Sequence, residues 1–481
     1  MSLKNEAFHG ILWTTTTNIF MKIINFAISI TLARLLTPSD FGLMSISLAI
    51  IYFFEIFRDF GIGQAIIQKK ENTEVMADSA FVIFPVVSFF LYVILYLAAP
   101  IIAEFFKNAE LMNIIRVLSL SLVIWSFGSL PQTLLTKSLE FKKLAVPRLL
   151  SRVSYGTVTI IMAFLGFGVW SLVCGQIVMT IINVITYWHS IEWRPSLRLD
   201  IKIAYELLSY GKHIIATSVL IFFVSMIDIT VIGRFLGSEK LGYYSIALTI
   251  AGIFTTQIST TFSVVAFPVF SKVQDNKNKL REAYLKTLKS VSIIIFPAAC
   301  GVISVAYYLI KVIYGEKWLP AVVALQVLCI NGLSGSIINV TKNLYLAIGK
   351  PKIMTKIYFL QFFLILILIG PLTHEYGIIG TSMAVTASST VSVFLSLNEA
   401  GKLIGKGPLN IINSMLPSSI GSVIMVLFVL TFQTLYHYLQ PSLVLFLSVI
   451  LGASSYCLFF RLIYKEEVEE IKWLVNSKMR S

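Results

Sequence analysis

Charge is what this chain has least of. Asp and Glu together supply 24 of its 481 residues, and charged residues of both signs amount to 13% against 57% hydrophobic. A soluble domain carries roughly a quarter of its residues charged, so an ordinary soluble globule is excluded. Histidine (5) and cysteine (4) are also scarce. Cys174, Cys300, Cys329 and Cys457 sit inside apolar runs with no CxxC or His spacing around them, so they read as small packing residues rather than metal ligands or disulfides. Missing too are a GxxxxGK[ST] phosphate loop, an HExxH pair and any Cys/His cluster with metal spacing. The chain is therefore read as a non-enzyme with no resident cofactor or metal. Its loops are too short to house an ATPase, so any transport would draw on an H+ or Na+ gradient, the membrane potential or the substrate's own gradient.

What fills the chain is apolar sequence in runs of about 20 residues, long enough to cross a hydrocarbon core of roughly 30 Å as helix. The short alternating segments of a membrane barrel are not seen. The fold class expected is an all-α polytopic membrane protein with about fourteen transmembrane helices, the first over 10–33. That first run follows MSLKNEAFHG directly, with no small-residue cleavage site, and reads as a retained signal anchor.

The net charge of +14 could suggest a nucleic-acid partner, but its distribution argues otherwise. Lys and Arg concentrate in alternate loops, which places both termini in the cytoplasm by the positive-inside rule. The basic excess then marks orientation and contact with anionic membrane lipids; no nucleic acid is expected.

One stretch occurs twice. LARLLTPSDFGLMSISLAI (Leu32 to Ile50) returns two hundred residues later as IGRFLGSEKLGYYSIALTI (Ile232 to Ile250), with Arg34/Arg234, Gly42/Gly242 and Ser45/Ser245 in register. Each copy is a helical hairpin: an apolar run ending at Arg, a short turn, and a second run entered through Gly. Six expected helices separate the copies, and an even number makes the repeats parallel. A weaker second match pairs LGFGVWSLVCG from Leu165 with HEYGIIGTSMA from His374, each putting a Gly-containing turn between the fifth and sixth helices of its half. The division expected is 1–190 as one six-helix lobe, 191–207 as an interfacial cytoplasmic linker, and 208–402 as the second lobe. Two additional helices follow over 403–464, and 465–481 is a cytoplasmic tail.

Ionisable residues within apolar spans are costly unless they face a cavity or a partner. Lys22 lies deep in the first span. In the second, EIFRDFGIG places Glu55, Arg58 and Asp59 at i, i+3 and i+4, on one helical face. One reading is an intrahelical ion pair. The other is a cavity wall where Lys22 and Arg58 meet an anionic substrate group, and Glu55 or Asp59 serves as a charge partner or couples to a cation. Both hold together if the pair faces the cavity. At the two-hundred-residue offset these positions become Phe222, Thr255, Ile258 and Ser259, so the charges belong to the first half alone. Asp228 and Lys342 are secondary candidates in the second half, and Lys342 lies close enough to a helix end to snorkel.

LARLLTPSDFGLMSISLAIIYFFEIFRDFGIGQAIIQKKE, Leu32 to Glu71, resembles the start of Wzx-type polysaccharide flippases, in the branch named for colanic-acid export within the multidrug/oligosaccharidyl-lipid/polysaccharide exporter superfamily. The likeness continues through LPQTLLTKSLEFKKLAVPRL (Leu130 to Leu149) and the second hairpin, and so covers most of the chain. The resemblance implies two six-helix lobes in a V, alternating access, and residence in the bacterial cytoplasmic (inner) membrane. The implied substrate is an undecaprenyl-pyrophosphate-linked oligosaccharide, moved to the outer leaflet for capsule, exopolysaccharide or O-antigen synthesis. Polysaccharide polymerase machinery is the implied protein partner, and a cationic cavity for the pyrophosphate fits Lys22 and Arg58. The alternatives are a multidrug/cation antiporter of the same superfamily, a lipid II flippase, and a membrane polysaccharide polymerase, whose large external loop this chain lacks.

Overall fold

The computed structural model describes residues 20–68, 73–196 and 200–463, with side chains of 201–217, 253–261, 264 and 265 left aside. The start of the first expected span, part of the linker and the polar tail therefore lie outside the described residues. So do the side chains of Thr255, Ile258 and Ser259.

Every regular element among the described residues is helical. Helix α1 covers 20–35, and α2 (Pro38–Asp59), α3 (Ile62–Gln68), α4 (Thr73–Phe105), α5 (Glu110–Leu118), α6 (Leu120–Lys137), α7 (Phe141–Phe164) and α8 (Val169–Ser190) follow. Then come α9 (Ile201–Phe235), α10 (Gly237–Lys272), α11 (Lys277–Leu309), α12 (Val322–Ala347), α13 (Lys352–Ile404), α14 (Pro408–Asn413), α15 (Leu416–Leu435) and α16 (Pro441–Ile463). The protein is a multi-pass membrane protein. Ten described helical stretches are long and apolar enough to span a bilayer, against the fourteen expected, and local chemistry accounts for much of the difference. The 53-residue α13 is two passes run together through Gly377, whose φ of 59° and ψ of −135° break the helix. The 24-residue α7 carries Lys142, Lys143, Arg148 and Arg152, which dilute its hydropathy. Outward faces are apolar as lipid requires: on α4, Phe89, Phe90, Leu97 and Ile101 are all more than half exposed.

The doubled hairpin is visible atom by atom. Leu36 donates its amide to the Leu32 carbonyl at 2.8 Å, and Leu236 donates to Ile232 at 2.8 Å. The two turns then meet. A Cβ on Gly42 would stand 1.8 Å from the Ser238 carbonyl oxygen, and one on Gly242 would stand 1.8 Å from the Pro38 carbonyl oxygen. Ser39 and Ser238 join their hydroxyls at 2.7 Å. Only glycine permits helices this close, which explains why Gly recurs at both positions. The weaker repeat is also real in geometry: Gly168 (φ 52°, ψ −133°) and Gly377 (φ 59°, ψ −135°) share one unusual backbone conformation.

The chain divides into two compact units, Met1–Gly242 and Tyr243–Ser481. In the first, Ile62, Ala65 and Ile66 of α3 bury against Met76, Ala80 and Phe84 of α4. After α8 the chain is strapped to α4: the Ser196 amide donates to Asp78 Oδ1 at 3.1 Å, and the Asp200 amide to Ser79 Oγ at 3.1 Å. In the second unit, Tyr284 meets Thr341 at 2.9 Å and Tyr345 donates to the Ser396 carbonyl at 2.5 Å, inside a core shared by α10 to α14. The last two long helices, without counterparts in the repeat, pack on α11. Tyr456 donates to the Ile293 carbonyl at 2.9 Å, and Ser292 and Ser418 join hydroxyls at 3.0 Å.

Candidate functional site

Helix α2 is fixed at both ends by its sequence. Thr37 caps it and Asp40 returns the bond, in a reciprocal capping box with Pro38 in the first turn. It stops at Phe60 (φ 44°) and Gly61 (φ 66°), two successive left-handed residues that turn the chain into α3. Arg58 thus falls in the last turn, where a cation suits the helix dipole.

Arg58 is 3% exposed and lies between the two acids expected beside it. Its Nε donates to Asp59 Oδ1 at 2.8 Å and its Nη1 to Glu55 Oε1 at 3.4 Å. Glu55 and Asp59 remain 34% and 56% exposed. One guanidinium facing two carboxylates leaves the trio with one surplus negative charge.

Those two carboxylates open onto a cavity of about 850 Å³ within the first unit. Its walls come from α2, α3, α4, α6 and α9, with Tyr52, Gln64, Trp125 and Gln132 among the lining side chains. The glycines of DFGIG let α3 approach: a Cβ on Gly63 would stand 3.1 Å from Thr133 Oγ1. Among the described residues, Lys22 and Arg58 are not part of this lining. The expected constellation is thus divided, with Glu55 and Asp59 at the cavity and Arg58 buried behind them.

Lys22, partly exposed on α1, stands one turn before Asn25. Asn25 Oδ1 accepts from the Nε of Arg152 on α7. The Arg152 guanidinium lies 4.8 Å from the Tyr155 ring centroid, with Nη1 3.7 Å from Met179 Sδ. The same two helices meet again a turn further on, where a Cβ on Gly156 would press on Ile28 Cδ1 at 2.4 Å. Tyr52 of the cavity wall is within electrostatic reach of both Glu55 and Arg152. Arg152 was not among the candidates from sequence, although RLLSRV shows two arginines four apart inside an expected span. Asp228, on α9, is 4% exposed and accepts from the Ile229 amide at 2.8 Å. Lys342 is partly exposed on α12 of the second unit.

Residues 31–323 match the polysaccharide biosynthesis protein family, well over half of the chain. The chain belongs to the polysaccharide biosynthesis protein family. Among relatives of this family member, the teichuronic acid biosynthesis protein TuaB of Bacillus subtilis is 29% identical over 352 residues, 73% of each chain. The lipopolysaccharide biosynthesis protein WzxC of Escherichia coli is 27% identical over 400 residues, 82% of this chain and 81% of that one. Among solved structures, the lipid II flippase MurJ in an inward closed conformation aligns with a TM-score of 0.77 at 17% identity, over 95% of this chain and 100% of that one. That likeness establishes a shared fold.

Proposed function

We propose that this polysaccharide biosynthesis family member is a flippase. It moves undecaprenyl-pyrophosphate-linked oligosaccharide from the inner to the outer leaflet of the bacterial cytoplasmic membrane, by alternating access and with both termini in the cytoplasm. The observation that carries this reading is an 850 Å³ cavity walled by ionisable and hydroxylated side chains of a membrane-spanning helix bundle. Lipid-facing surfaces give no reason to keep such groups, whereas a polar headgroup crossing the bilayer requires them. Polysaccharide polymerase machinery is the natural recipient of the product.

Within this reading, Lys22 and Arg152 hold the pyrophosphate. Both are cations near the contact of α1 with α7, outside the lining of the Glu55/Asp59 cavity, and neither has a carboxylate partner among the described residues. Arg58, committed to Glu55 and Asp59, instead sets the charge and position of those acids. Glu55 and Asp59 are also the groups available for H+ or Na+ coupling, and Asp228 and Lys342 stay secondary.

The test is reconstitution of the full chain in proteoliposomes with labelled lipid-linked oligosaccharide, with and without H+ or Na+ gradients. Lys22→Ala and Arg152→Ala should each slow transfer roughly tenfold or more, the scale of losing one charge-assisted contact, at unchanged protein abundance. Wild-type rates in both would remove the anion assignment. The two carboxylates on the cavity wall favour a second reading, an organic-cation antiporter; gradient-driven uptake of tetraphenylphosphonium without lipid transfer would select it.

A further inference from the structure

We infer that the Glu55/Asp59 cavity is a glycan subsite that selects uncharged, hydroxyl-rich sugars and is separate from the place where pyrophosphate binds. The inference rests on the flippase reading and names the ligand chemistry of one part of it.

The hydrogen-bonding capacity of the lining decides the ligand class. Glu55 and Asp59 are acceptors when ionised. On α6, Ser129, Gln132, Thr133 and Thr136 follow a spacing of three and four, which puts them on one face. Thr133 Oγ1 already donates to the Ser129 carbonyl at 2.8 Å, and Thr136 Oγ1 to the Gln132 carbonyl at 2.8 Å. Their protons are therefore spent on the helix, and lone pairs remain for the cavity. A wall so rich in acceptors needs a ligand rich in donors. Phosphate and carboxylate groups offer none when ionised, while each sugar ring carries several hydroxyls. Gln132 contributes an amide able to donate and accept, and Tyr52 and Trp125 add aromatic surface for the apolar faces of a ring. About 850 Å³ is also within the usual range for an enclosed organic ligand.

Charge points the same way. The described lining contains two carboxylates and no Lys, Arg or His. Arg58, bonded to both acids, is buried at 3% exposure and does not line the cavity. An acidic sugar placed here would meet the formal surplus negative charge of the Glu55–Arg58–Asp59 trio, and like-charge repulsion disfavours it.

The experiment uses two polyprenyl-pyrophosphate substrates with the same tail, one bearing a trisaccharide of neutral hexoses and the other the same trisaccharide with one hexose replaced by a hexuronic acid. In proteoliposomes of the full chain, the neutral substrate should be transferred roughly tenfold faster, the scale of one charge contact largely screened by water. Asp59→Asn, which keeps an oxygen able to accept from Arg58 Nε, should bring the two rates within about threefold by removing the surplus charge. Gln132→Ala should slow both substrates. Equal wild-type rates, or a ratio unchanged in Asp59→Asn, would overturn the glycan subsite and leave the flippase reading standing. Transfer of neither substrate would overturn the flippase reading and this inference with it. Displacement of the neutral substrate by a primary-ammonium amphiphile, but not by free neutral trisaccharide, would overturn the sugar assignment in favour of a cation site.

Discussion

Gly42 lies so close to Ser238 that a methyl group on the glycine would stand 1.8 Å from the serine's carbonyl oxygen, and Gly242 stands in the same relation to Pro38. Two positions matched by the internal repeat thus complete one reciprocal contact. The obstruction is backbone, which cannot rotate away, so overpacking should cost near the top of its usual range of about 1–3 kcal/mol. Gly42→Ala and Gly242→Ala should each lower the thermal unfolding midpoint of the detergent-solubilised protein. Gly335→Ala is the control, because nothing lies within 4 Å of a Cβ there. It should be neutral or stabilising by up to about 1 kcal/mol through helix propensity. Equal midpoints for Gly42→Ala and Gly335→Ala would contradict the close approach.

Arg58 separates structure from transport. With the guanidinium 3% exposed between two acids, Arg58→Met leaves Glu55 and Asp59 facing each other without a cation. Breaking a buried pair costs about 3–5 kcal/mol, and the partial exposure of both acids reduces this to about 2–3 kcal/mol. The expected outcome is loss of folded protein, recovered in large part when Glu55→Gln and Asp59→Asn are added. A stable Arg58→Met protein defective only in transfer would instead place Arg58 at the substrate.

The residues that sequence revealed, and those it concealed, differ for physical reasons. The hairpin was legible because glycine and arginine recur at one offset, and glycine is hard to replace where backbones touch. The Glu55–Arg58–Asp59 ion pair was legible from helical spacing alone. Spacing fixes a face of a helix, however, and not what covers each part of it: Arg58 is 3% exposed while Glu55 and Asp59 on the same face are 34% and 56% exposed. Arg152 was hidden for another reason. A long cation some six residues into a span can be imagined reaching the headgroups, and its true neighbour, Asn25, is 127 residues away in sequence. The last two helices have no repeat to place them, so their seat on α11 depends on contacts such as Tyr456 with Ile293 that no periodicity announces.

Lys137 should hold α3 in place against α4. Its ammonium donates to the Ile66 carbonyl at 2.7 Å and to Thr73 Oγ1 at 2.6 Å, joining the end of one helix to the start of the next beside the cavity. Lys137→Met keeps most of the stem and removes both bonds. Hydrogen bonds from a charged donor contribute about 1.5–3 kcal/mol, so the change should show as faster amide exchange over 62–68 and 73–80, with α7 and α8 unaffected. Uniform protection across all four helices would mean that the apolar packing of Ile62 and Ile66 suffices without the lysine.

Gly168 and Gly377 offer a test of the repeat by energy rather than by alignment. Both hold φ near 55° with ψ near −134°, a conformation that a side chain tolerates only at a cost of about 1–3 kcal/mol. Gly168→Ala and Gly377→Ala should therefore share a common backbone penalty. At Gly168 the added Cβ would also stand 3.2 Å from Asp40 Oδ1. Asp40 in turn accepts from the Thr37 amide at 2.8 Å and the Thr37 hydroxyl at 2.7 Å, so displacing it loosens the cap of α2. In a double-mutant cycle, Asp40→Ala should remove the part of the Gly168→Ala loss that comes from this contact and leave the backbone penalty of about 1–3 kcal/mol. A Gly168→Ala loss unchanged by Asp40→Ala would show that the whole cost lies in the backbone, and backbone losses that differ between Gly168→Ala and Gly377→Ala would show that the two turns are not energetic equivalents.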